Sequence, residues 1–104
     1  RSARVMKERI DTGGENYGPY SPGVKAYSII WLSGQIAPEV DGIAEQAQAC
    51  LNQIDALLAA AGVSEHQVTF AQVLLADIND FAAMNEVYSV WLGEMDIPPA
   101  RAAF

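Results

Sequence analysis

Cysteine and histidine are almost absent from this chain: Cys50 and His66 stand alone in 104 residues. A single cysteine builds no disulfide framework, which fits a reducing cytoplasm. His66 has no cysteine and no second histidine with which to hold a metal, and reads as a solvated loop residue. Positive charge is scarce as well, with 6 Lys and Arg against 13 Asp and Glu and a net charge of −7. Phosphate binding needs a basic face, so this balance argues against a nucleic-acid partner. Five of the six cations (Arg1, Arg4, Lys7, Arg9 and Lys25) fall in the first quarter, and Arg101 is the only later one. No apolar run is long enough for a membrane span, and no positive-then-apolar leader opens the chain. What remains is 51% hydrophobic and 18% charged, the make-up of a folded chain, expected to form one domain over residues 1–104.

The centre of that domain is Ile29-Ile30-Trp31-Leu32-Ser33-Gly34-Gln35-Ile36. Four consecutive apolar residues predict a central strand covered on both faces. The break into Ser-Gly-Gln marks the strand end, where backbone groups come free. Gly34 lets a second backbone or a substrate approach closely, or else marks a bulge.

Upstream, Val5 to Ile10 mixes apolar and charged residues and predicts a strand with a wet face. Asp11-Thr12-Gly13-Gly14 breaks it. Asp-Thr-Gly is also the signature of aspartic proteases, but those are nearly all strand and the middle of this chain is helical, so a polar turn is the better account. Residues 15–23, with two prolines and two tyrosines, predict an ordered loop in which Tyr20 serves packing or presents its phenol to a site. Val24-Lys25-Ala26 and Ile29-Ile30-Trp31 flank Tyr27-Ser28 as a hairpin. A two-residue turn favours Gly or Asn, so strain or a longer loop is expected at Tyr27-Ser28.

Downstream of a connector over residues 37–42, the apolar period becomes helical. Ile43, Ala47, Cys50, Leu51, Ile54, Leu57, Leu58 and Ala61 share one face, and Gly62 ends the helix. Cys50 lies in that stripe as core filler. Val68 to Ala76 predicts a second apolar strand, and Asp77 to Asp80 a capped turn. Phe81, Met84, Tyr88, Trp91 and Leu92 form the core stripe of a second helix, with Asn85 beside it in hydrogen-bonding position. Ile97-Pro98-Pro99 stops that helix and Ala100 opens another strand. The sum is an α+β fold, a mixed β-sheet with two helices packed on one face. Its other face is left apolar, which calls for a partner.

Gly18-Pro19-Tyr20-Ser21, Trp31 to Ile36, Ala60-Ala61-Gly62, Asp77 to Asn85 and Pro99-Ala100-Arg101 together resemble, in order and spacing, the RidA (YjgF-like) family of enamine/imine deaminases. The resemblance runs from about Gly18 to Phe104. It implies a chorismate-mutase-like homotrimer with clefts between subunits. In such clefts an arginine grips a small carboxylate substrate, and water converts a 2-aminoacrylate-type enamine or imine to a keto acid and ammonia. Residue by residue, it implies Arg101 as the carboxylate-binding group, Ser33 and Gly34 at the catalytic strand end, and Tyr20 and Asn85 as substrate contacts. It implies no metal and no cofactor, because an imine is already electrophilic. An arginine suits the role on its own chemistry, since its planar fork binds carboxylates in bidentate fashion; a salt bridge to one of the many acids is the alternative for Arg101.

The sequence departs from the family at three points. Position 103 is alanine where better-known members have cysteine. The connector after Ile36 is short. The chain stops before the last strand and the acidic residue that the family places near its site. The expectation is therefore a 2-iminobutanoate/2-iminopropanoate deaminase-like hydrolase, located in the cytoplasm. The alternative is a non-catalytic member that binds small carboxylates or regulates. A ribonuclease role has also been attached to the family, and the acidic charge places it third.

Overall fold

A computed structural model of the chain describes residues 6–14 and 18–104. Arg1, Arg4 and Val5, along with the opening of the 15–23 loop, lie outside the described residues. The first strand, β1, runs Lys7–Ile10, followed by β2 (Gly23–Ala26), β3 (Ile29–Leu32), α1 (Ile43–Ala60), β4 (Phe70–Val73), α2 (Phe81–Leu92) and β5 (Ala100–Ala103). Single 3₁₀ turns at Glu65–Gln67 and Ile78–Asp80 lead into β4 and α2.

The strands pair in both senses. β1, β2 and β3 form an antiparallel sheet in that order, while β4 and β5 pair in parallel. The predicted mixture of parallel and antiparallel pairing is thus present, divided between two hydrogen-bonded units. β2, not β3, is the central strand of its sheet. In the single chain β3 is an edge, with Ile29 and Trp31 exposed and Ile30 and Leu32 half-buried. Ile29 and Trp31 thus lie open on one side of the single chain, the side that the apolar run expects a partner to cover. β4 is likewise shorter than the predicted Val68–Ala76 segment, because the one ladder partner it has among the described residues is the four-residue β5. Two bonds carry the pairing slightly further, from Phe104 N–H to Val73 O and from Leu75 N–H to Phe104 O.

The turns follow their residue chemistry. The Asp11 carboxylate accepts the Gly13 amide at 2.8 Å, with Gly13 at φ 84°. Ala26 pairs with Ile29 across Tyr27-Ser28, and Tyr27 takes φ 56°, the strained conformation that a two-residue turn imposes on a residue with a side chain. α1 ends on a paired cap: Gly62, at φ 77°, donates to Ala59 O and Val63 donates to Leu58 O.

The two helices pack against each other, and Leu51, Leu57, Leu58, Met84 and Tyr88 are buried with Ile10 and Ala37. The Trp91 indole N–H reaches across to the Asp55 carboxylate at 2.9 Å and pins α2 to α1. Cys50 faces the connector, its thiol 3.4 Å from Gln35 O, and burial raises its pKa, helped by the Glu39 charge. Cys50 is thus half-buried at the margin of the helix stripe and not the fully buried filler that the stripe predicts. His66 is exposed, as its loop position predicts. No helix among the described residues is long and apolar enough to cross a membrane.

Candidate functional site

Arg101 sits in the middle of β5, opposite Ala71 of β4, with both residues half-buried. Strand alternation turns it away from the exposed side that carries Phe70 and Ala100 and toward α2. There its Nη1 donates to Asn85 Oδ1 at 2.6 Å. Its guanidinium carbon also lies 5.0 Å from the Tyr88 ring centroid and 5.4 Å from that of Phe81. Phe81, Asn85 and Tyr88 are spaced i, i+4 and i+7, so one face of α2 presents all three to the arginine.

No carboxylate pairs with Arg101 among the described residues. The structural salt bridge that the many acids made plausible is not formed among the described residues. A half-buried cation held by a neutral amide and two rings keeps its charge uncompensated, and such a group attracts an anion. Tyr88 is itself buried, at 7% exposure, and its hydroxyl has no hydrogen-bond partner among the described residues. Burial pushes its pKa up, and the Arg101 charge opposes that shift only in part.

Ser33 and Gly34 lie at the end of β3, on the other sheet. Ser33 is fully engaged: its amide donates to Pro22 O at 2.9 Å, its hydroxyl to Ser21 O at 2.6 Å, and its carbonyl accepts the Gln35 side chain at 3.0 Å. These bonds tie the strand end to the loop that holds Tyr20. Gly34 differs: it is exposed, and its amide and carbonyl make no hydrogen bond among the described residues. A Cβ added there would meet nothing within 4 Å, so nothing in this chain's own packing requires a glycine. Tyr20 is 41% exposed and, with Arg9, Gly18, Pro19 and Ser21, lines a shallow open depression. Arg9 bridges its two sides, bonding Asp11 at 2.9 Å and the Ser21 hydroxyl at 3.0 Å.

The chain thus joins Arg101 to Asn85 and Ser33 to the Tyr20 loop, and no hydrogen bond or ion pair links Ser33 with Arg101. Asn85, expected to make either a helix-to-loop hydrogen bond or a substrate contact, instead accepts a hydrogen bond from a strand side chain. Phe81 and Tyr88 were read as core. Their spacing from Asn85 was the signal that could have drawn them to Arg101.

Residues 13–104 match the model of a protein family described as endoribonuclease L-PSP. A RutC family protein of Pyrococcus horikoshii is 43% identical over 109 aligned positions, covering 94% of this chain and 83% of that relative. A 2-iminobutanoate/2-iminopropanoate deaminase of Capra hircus is 40% identical over 94 residues, 84% of this chain and 67% of the relative. Among solved structures, a Rid family protein of unknown function, YyfA from Yersinia pestis, superposes with a TM-score of 0.88 at 29% identity. The match covers 95% of this chain and 85% of that one.

Proposed function

This chain belongs to the endoribonuclease L-PSP (RidA/YjgF) family, and from that premise we propose that it hydrolyses reactive enamine and imine acids to keto acids and ammonia. The observation that carries the reading is Arg101, a half-buried guanidinium without an acidic partner among the described residues, oriented by Asn85. The name carried by relatives at about 40% identity supplies the substrate class, 2-iminobutanoate and 2-iminopropanoate.

Arg101 binds the substrate carboxylate through the edge of its fork that Asn85 leaves free. A 2-aminoacrylate tautomerises to the imine, water adds to the C=N carbon, and the carbinolamine loses ammonia to leave the keto acid. The unbonded backbone groups of Gly34 hold the water or the imine nitrogen. The bonds made by Ser33 keep that strand end fixed, and Tyr20 closes the mouth from its loop.

Residues 1–104 act as one domain of a homotrimer whose sites lie between subunits. Three observations support this arrangement: the separation of the Ser33–Tyr20 group from Arg101 on two sheets, the open space at Gly34, and the apolar outer sheet face. A lone free cysteine is in keeping with the cytoplasm. The net charge of −7 weighs against RNA as the substrate, despite the family's ribonuclease name.

The test is ammonia release from enzymatically generated 2-aminoacrylate, with and without the protein. Acceleration is expected, and Arg101→Ala should lower kcat/KM by about a hundredfold or more, the loss of a charge-assisted bidentate contact. No acceleration by the wild-type protein, together with retained pyruvate binding, would mark a non-catalytic carboxylate binder instead.

A further inference from the structure

We propose that Tyr88 is the positioning residue of the carboxylate receptor, acting through the face of its ring on Arg101 and not through its hydroxyl. This inference rests on Arg101 being the carboxylate-binding group.

An arginine side chain has several rotatable bonds, and ordering it for a ligand costs conformational entropy unless the protein has already done so. Here the guanidinium is fixed in two ways. Asn85 fixes one nitrogen in the plane of the fork. The Tyr88 ring, 5.0 Å from the guanidinium carbon, and the Phe81 ring, 5.4 Å away, supply cation–π attraction and a surface for the fork to rest on.

The two rings differ in what holds them. Phe81 is 36% exposed, whereas Tyr88 is 7% exposed and braced by Trp91, its ring centroid 6.0 Å away; Trp91 is itself bonded to Asp55 of α1. Tyr88 is therefore the more closely packed of the two walls. A relay runs from α1 through Trp91 and Tyr88 to the guanidinium. It carries the rigidity of the helix pair to a strand side chain.

The Tyr88 hydroxyl takes no part in this, since it has no partner among the described residues. A buried donor without a partner is a cost. Ring and hydroxyl can therefore be separated by substitution.

The experiment measures pyruvate affinity and the kinetics of imine hydrolysis for wild type, Tyr88→Leu, Tyr88→Phe, Arg101→Lys and the Tyr88→Leu/Arg101→Lys double variant, each checked for folding by circular dichroism. Tyr88→Leu should weaken pyruvate binding and raise KM by about tenfold, the range of a partly desolvated cation–π contact, with kcat changed far less. Tyr88→Phe, which keeps the ring, should restore KM to near the wild-type value. In the Arg101→Lys background, which lacks the planar fork, Tyr88→Leu should add little further loss. Full additivity in the double variant, or a Tyr88→Phe defect as large as that of Tyr88→Leu, would overturn the proposal. If Tyr88→Leu does not fold, Tyr88→Met in both backgrounds, which also removes the ring while filling the site, decides the same two points. Failure of wild type to bind pyruvate at all would remove the underlying reading of Arg101, an outcome separable from the failure of Tyr88 alone.

Discussion

Gly23 is buried in β2 between two neighbouring strands. A methyl group there would lie 2.9 Å from Leu32 Cδ2, closer than a Cβ tolerates, and 3.1 Å from Ile10 Cβ, a tight contact that the neighbour must yield to. Gly23→Ala should destabilise the chain by about 1–3 kcal/mol through overpacking, seen as a lower urea midpoint. The same substitution at Gly34, where the space is open, should leave stability unchanged and lower deamination if that backbone faces substrate. The sequence made Gly34 conspicuous because an apolar run ended beside it, and it gave no hint of Gly23, whose constraint comes from strands distant along the chain. Arg101 was legible for a related reason: a lone cation in an acidic stretch stands out. Its two aromatic neighbours were not legible as such. Phe and Tyr at helical spacing are what a core stripe looks like, and only β5 lying against α2 reveals the second use.

Boundaries of the helices came through better than those of the strands. A helix carries its own hydrogen bonds and its own stop signal, so Gly62 after Ala61 was enough to place the end of α1. Gly62→Ala puts a Cβ on a residue held at φ 77° and should cost about 1–2 kcal/mol, measured by thermal or urea unfolding. A strand's length depends on its partner, which lies elsewhere in the sequence. That is why Val68–Ala76 shortens to Phe70–Val73 beside β5. The hairpin at Tyr27-Ser28 was foreseen along with its strain, because both the spacing and the poor turn residues are local facts. That β3 would form an edge in the single chain was not local, and the apolar run concealed it.

At the scale of the whole molecule, the outer side of the sheets presents Ile29 (54% exposed), Trp31 (65%), Phe70 (58%) and Leu74 (72%). Aliphatic and aromatic side chains of this size are worth roughly 1.5–3 kcal/mol each when buried, enough together to drive association. Trp31→Glu should therefore convert an oligomer into monomers at micromolar concentration, read by sedimentation or light scattering. A wild-type protein that sediments as a monomer would remove the interfacial site with it. The same architecture bears on cooperativity. The β1–β2–β3 unit and the β4–β5 unit share no ladder hydrogen bond among the described residues, and each is tied to a different helix, the segment after β3 to α1 and Arg101 of β5 to α2. A lone chain is thus built from two blocks that can open separately, with β4–β5 amides exchanging with solvent ahead of, or apart from, those of the three-stranded sheet. Neighbouring copies that cover both units would weld them into a single unfolding transition, so that dilution alone should split one melting curve into two.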